Sequence, residues 1–88
     1  MNWVYELTSE AEKELIKLPK SAQSKIVNTL LRLQANPFHG DVRQLQGNAP
    51  YKIFRRRIGD YRILFVLDHG SSTISVLHIL LRSEKTYR

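Results

Sequence analysis

The chain has 88 residues, 42% of them apolar, no cysteine, and a formal net charge of +6. That size supports one domain over residues 1–88 with one small core, and the lack of cysteine excludes a disulfide framework and a thiolate metal centre. No apolar run approaches the roughly 20 residues of a membrane span, and the N-terminus lacks a signal-peptide pattern, so the expectation is a cytoplasmic protein with no membrane partner. The charge is uneven. Residues 1–50 hold six Lys/Arg against five Asp/Glu, and residues 51–88 hold eight against three. A positive charge gathered in one half points to nucleic acid or to an acidic protein partner.

Trp3 to Leu7 alternates and predicts a short first strand. Thr8 or Ser9 is the expected cap of the helix that follows. Ser9 with Glu12 matches a capping box, and Glu10, Glu12 and Glu14 suit the positive end of a helix. Ala11, Leu15 and Leu18 share one helical face, and Pro19 closes that helix or opens the next. Lys20 to Ala35 predicts a second helix with Ala22, Ile26, Leu30 and Leu33 in one stripe, stopped by Asn36-Pro37. The turn between them is very short, so they form an antiparallel helical hairpin. Phe38 to Pro50 holds Gly40, Gly47 and Pro50 and reads as loop, with Leu45 expected to plug the core.

Tyr51 to Leu67 reads as two strands joined at Gly59-Asp60. A two-residue turn there sets Ile58 opposite Tyr61, Arg57 opposite Arg62, Arg56 opposite Ile63, Arg55 opposite Leu64 and Phe54 opposite Phe65. Alternation then gives a core face of Phe54, Ile58, Tyr61, Ile63, Phe65 and Leu67, with Arg56 intruding and reaching an edge by its stem. The same alternation puts Lys52 on the core side. The other face collects Arg55, Arg57 and Arg62 beside Ile53, Leu64 and Val66. Arginines on an outer sheet face are commonly just solvated. Three guanidinium groups side by side nonetheless repel one another, and an anion compensates that charge.

His69 to Ser72 forms a second turn. Thr73 to Leu81 is a further strand, with Ile74, Val76, His78 and Leu80 facing one way and Ser75, Leu77, Ile79 and Leu81 the other. Arg82 to Arg88 is a polar tail. The order β-α-α-β-β-β predicts an α+β, two-layer fold: the N-terminal strand and the antiparallel helical hairpin pack on one face of an antiparallel meander.

No paired-carboxylate site, phosphate loop or nucleophile elbow appears, and His39, His69 and His78 lack metal-ligand spacing, so no metal and no cofactor are expected. Arginine, lysine and tyrosine remain, and they suffice to cleave RNA. The ribose 2′-OH is the nucleophile and the adjacent phosphate the electrophile. The protein has only to hold the nucleotide, neutralise charge and move protons. Arginine grips two phosphate oxygens at once, and a tyrosine held among cations can serve as base.

Asn36-Pro37 after two helices, Leu45-Gln46-Gly47, the Arg55 to Arg62 hairpin with Gly59-Asp60-Tyr61-Arg62, and Arg82-Ser83-Glu84-Lys85-Thr86-Tyr87 together resemble the RelE/ParE toxin superfamily of type II toxin–antitoxin modules. The resemblance covers essentially the whole chain. It implies a ribosome-dependent endoribonuclease, an mRNA interferase that cuts mRNA on the ribosome and inhibits translation. It also implies a cognate antitoxin bound in a toxin–antitoxin hetero-oligomer. Carried over by position, it makes Arg57, Arg62, Arg82 and Tyr87 catalytic: Arg57 and Arg62 clamp the phosphate, Arg82 stabilises the transition state, and Tyr87 is the base. Arg55, Arg57, Lys85 and Arg88 bind RNA. Ile53 stands near a position where the best-known member has a catalytic lysine, and Leu80-Leu81 where relatives often carry basic residues. The alternatives are a ParE-like DNA gyrase inhibitor without nuclease activity and a degenerate toxin that only binds its antitoxin.

Overall fold

Gly59 adopts φ +55° while Asp60 keeps a negative φ, as in a II′ turn, where only the first central residue needs the left-handed region. In this computed structural model, which describes residues 2–47 and 50–81, that turn joins β3 (Phe54–Ile58) to β4 (Tyr61–Asp68). The pairing is the one the turn dictates: Ile58 opposite Tyr61, Arg57 opposite Arg62, Arg56 opposite Ile63, Arg55 opposite Leu64 and Phe54 opposite Phe65.

The sheet has five strands in the order β1-β5-β4-β3-β2. β5 (Thr73–Leu81) runs antiparallel to β4, and β1 (Val4–Leu7) closes the edge beyond it in parallel. At the opposite edge, β2 (Val42–Gln44) pairs antiparallel with β3 inside the stretch expected to be loop. Three residues are too few for alternation to register in the sequence. The strand forms because the exposed edge of β3 offers backbone groups that need partners. Leu45 N–H continues the pairing to the carbonyl of Ile53 at 2.8 Å.

Thr8 caps α1 (Ser9–Ile16). Its hydroxyl accepts from the Ala11 N–H at 3.1 Å and donates to the Leu77 carbonyl at 2.9 Å. Ser9 is therefore the first helical residue, and the Ser9/Glu12 box does not form. Thr8 is already fixed by the sheet, its N–H donating to Val76, so the cap falls there. Pro19 precedes α2 (Lys20–Ala35), and the Gln23 amide ties the turn by donating to the Leu18 carbonyl at 2.8 Å.

Both helices pack on one face of the sheet, giving the expected α+β architecture, while β1 lies in the sheet beside β5 and not on its face with the helices. The core joins Ala11, Ile26, Leu30 and Leu33 to Ile63, Phe65, Ile74, Val76 and Ile79, all buried. Leu45 lies outside this cluster, and Val42 and Phe54 pack against it instead. One expectation fails within β5. Phe65 pairs with Val76 and Leu64 with His78, so Leu77 is an extra residue in the ladder. Such a bulge reverses the alternation beyond it. Ile79 thus joins Ile74 and Val76 in the core, and Leu80 moves to the outer face opposite Arg62.

Candidate functional site

The outer face is built by three strands. β3 supplies Arg55 and Arg57, β4 supplies Arg62 and Leu64, and beyond the bulge β5 supplies Leu80. Arg55 is only 7% exposed and Leu64 only 3%, although both helices lie on the other side. Their register places Leu64 beside Arg55 and Leu80 beside Arg62, positions at which a long arginine stem suits an apolar neighbour.

One guanidinium nitrogen on each of these arginines is buried without a hydrogen-bond acceptor among the described residues: Nη1 of Arg55, Nε of Arg57 and Nε of Arg62. An unpaired buried donor costs about 1–3 kcal/mol, and more when charged. Some of the charge is met by Asp41, whose carboxylate lies 3.4 Å from Arg55 Nη1 and 4.0 Å from Arg57 Nε. Neither contact has hydrogen-bond alignment. Among the described residues Arg62 has no ion pair.

Arg56 points to the other face and escapes at the edge, as its stem allows. Its Nε donates to the His39 carbonyl at 2.9 Å, and its Nη1 donates to the carbonyl of Arg57. Burial lowers its pKa from the ordinary arginine value, Asp41 opposes that shift, and Arg32 adds to it. The guanidinium lies where a side chain at residue 40 would start. Gly40 has φ +82°, and a Cβ there would overlap the Arg56 guanidinium.

Beside the arginines opens a groove of about 490 Å³, lined by Arg55, Arg62, Leu64 and Leu80 together with Leu45, Tyr51, Lys52 and Ile53. Lys52 is exposed and lines this groove, not the core side, because it precedes the strand and escapes its alternation. Among the predicted site residues, Arg55, Arg57 and Arg62 come together. Arg82, Lys85, Tyr87 and Arg88 lie outside the described residues.

Two contributors escaped the sequence reading, Asp41 and Arg43, which stands opposite Arg55 in the β2–β3 pairing; Lys52 was read but put on the wrong side. The signal for Asp41 and Arg43 was the alternation Asp41-Val42-Arg43, short enough to pass as loop. Among the described residues no group of His, Asp and Glu could hold a metal ion, and no helix is long and apolar enough to cross a membrane. His78 instead faces Glu14, with Nδ1 3.3 Å from the carboxylate.

Residues 5–86 match the family described as ParE toxin of type II toxin–antitoxin system, parDE. No curated protein matches the chain. Among solved structures it is similar to a chain of the toxin–antitoxin complex RelBE2 from Mycobacterium tuberculosis: 25% identity, TM-score 0.82, covering 93% of this chain and 100% of that one. It is similar to a chain of the archaeal RelE–RelB complex from Pyrococcus horikoshii: 24% identity, TM-score 0.79, covering 96% and 99%. The isolated E. coli RelE toxin shares the fold at 13% identity and TM-score 0.75, covering 96% and 88%.

Proposed function

The chain belongs to the RelE/ParE superfamily as a toxin of a type II toxin–antitoxin system, and from that premise we propose that it is an mRNA interferase, a ribosome-dependent endoribonuclease acting in the cytoplasm. The observation that carries this reading is the row of buried guanidinium nitrogens on Arg55, Arg57 and Arg62, without a hydrogen-bond acceptor among the described residues and beside an open groove. Donors held in place at that cost suit an anion that arrives from outside, and a phosphate offers the oxygens they need.

In the reaction the ribose 2′-oxygen attacks the adjacent phosphorus and the 5′-oxygen leaves. Arg57 and Arg62, opposite each other across the hairpin, hold the phosphate and take up the charge that grows on it. Arg55 anchors the strand. Arg82 adds a further cation in the transition state, Tyr87 takes the proton from the 2′-OH, and Lys85 and Arg88 hold RNA to either side. No metal or cofactor is required, because the substrate carries both nucleophile and electrophile. The cognate antitoxin covers this basic face with an acidic, partly disordered segment that orders on binding.

The test is induction in a bacterial host. Translation should stop with mRNA cut within codons and with plasmid supercoiling unchanged. The family match favours one rival, since it is described as ParE toxin: inhibition of DNA gyrase without nuclease activity. Intact mRNA with relaxed plasmid establishes the rival. Intact mRNA and normal supercoiling, with an antitoxin still captured, leaves a toxin that only binds its antitoxin.

A further inference from the structure

The triplet Arg55-Arg56-Arg57 is bolted to one turn. Arg56 Nε donates to the His39 carbonyl at 2.9 Å, the Arg57 N–H donates to the Asp41 carbonyl at 3.0 Å, and the Val42 N–H donates to the Gly40 carbonyl at 3.0 Å. Gly40 has no Cβ, which leaves room for the Arg56 guanidinium. The turn is thereby fixed with the Asp41 carboxylate beside Arg55 and Arg57, at 3.4 and 4.0 Å. Arg55 is 7% exposed. A guanidinium buried to that degree is costly without a counter-charge.

Two features set Asp41 apart from an ordinary ion-pair partner. Its contacts fall short of hydrogen bonds, so the facing nitrogens of Arg55 and Arg57 keep their donors unspent. Its reach is also unequal, closer to the buried Arg55 than to the half-exposed Arg57. A carboxylate so placed neutralises the site and holds the guanidinium groups in position without occupying the donors that an incoming anion needs.

We propose that Asp41 is a positioning residue: a resident counter-anion that keeps Arg55 and Arg57 in place while the site is empty and opposes a phosphate when it binds. This rests on the reading of the outer arginine face as a phosphate-holding surface. Asp41 keeps its claim on Arg55, and the ligand phosphate takes Arg57 and Arg62. The repulsion it adds holds down the affinity for phosphate groups that merely pass, so grip is concentrated on the phosphate aligned with both Arg57 and Arg62.

The probe is inorganic phosphate, titrated into the full chain and followed by the ¹⁵N resonances of the arginine Nε atoms. In the wild type phosphate should shift Arg57 and Arg62 most. Asp41→Asn keeps the shape and removes the charge. It should tighten phosphate about three- to tenfold, the size expected from one unit charge several ångströms away in a partly solvated site. Asp41→Glu, whose longer arm reaches Arg57, should weaken phosphate binding by a similar factor. These opposite signs do not follow from a purely structural role, which moves the melting temperature and leaves affinity in the folded fraction unchanged. Wild-type affinity in either folded variant, or weaker binding by Asp41→Asn, overturns the proposal. The ribosome is absent from this titration. A chain that cuts no mRNA but shows the predicted shifts refutes the nuclease reading alone, and a chain that cuts mRNA with flat titrations refutes the role of Asp41 alone.

Discussion

The two faces of the β3–β4 hairpin are both largely withdrawn from solvent, and they are withdrawn for opposite ends. The inner face sets Phe54, Ile63 and Phe65 against helices and leaves the hydrophobic effect to do the rest. The outer face buries Leu64 and Arg55 on the side away from both helices and leaves charged donors without a hydrogen-bond acceptor among the described residues. Burial on the inner face stabilises the fold. On the outer face it costs stability and yields a set of donors fixed before any ligand arrives, which is the condition for strong electrostatic assistance. Substitutions on the two faces should therefore move different measurements.

The largest effect is expected from the inner face. Phe65 is fully buried and stacks on Phe54 with ring centroids 5.7 Å apart. Phe65→Ala should lose about 3–5 kcal/mol of stability in denaturant titration, while the folded fraction keeps its activity. On the outer face, Arg62→Ala removes a buried donor that has no acceptor among the described residues, so it should not lower the melting temperature, yet it should slow single-turnover cleavage of ribosome-bound mRNA by about 10²–10³. Arg62→Lys should recover little, because an ammonium loses the two-pronged grip. Wild-type cleavage by a folded Arg62→Ala protein removes Arg62 from the site and dissolves the contrast between the faces.

Gly40 links the two faces through Arg56. Gly40→Ala combines a left-handed φ with a clash against the Arg56 guanidinium, and should cost about 1–2 kcal/mol in the same titration. Because it displaces the turn that carries Asp41, it should also alter phosphate affinity, which no inner-face substitution should do.

The smallest effect lies away from both faces. Asp68 Oδ1 accepts from Gly70 N–H at 3.0 Å and from Ser71 N–H at 3.4 Å, and hydrogen bonds, from Ser71 first, lower its pKa below the ordinary 3.8. The unfolded chain therefore takes up the proton at higher pH than the folded one. The stability Asp68 contributes is complete above the ordinary value and drains away as pH falls through the lowered one. Melting curves of wild type and Asp68→Ala should differ slightly at neutral pH and converge in acid.

The hairpin was legible in the sequence because a two-residue turn leaves its strands no freedom of register, so Gly59-Asp60 alone assigned Arg55, Arg57 and Arg62 to one face. The β5 parity was not legible. A bulge at Leu77 has no residue signature in a run of apolar side chains, and a single extra residue moved Ile79 inward and Leu80 outward. Asp41 was hidden for a different reason. It became part of the site through β2, a strand whose three residues owe their conformation to the edge they meet and little to their own propensity. The resemblance that named Arg82 and Tyr87 concerns residues beyond those the structure describes.

The parallel pairing of β1 with β5 has a consequence for biosynthesis. Val4 to Leu7 pair with Thr73 to Val76, so the first strand to leave the ribosome must wait for the last of the described strands before its edge is filled. Contacts this distant in sequence close late and slow folding. The arginine hairpin emerges in between, on a sheet still lacking β5 and the leucine that stands opposite Arg62. A nascent chain thus carries the basic residues before the strand that helps to align them has formed.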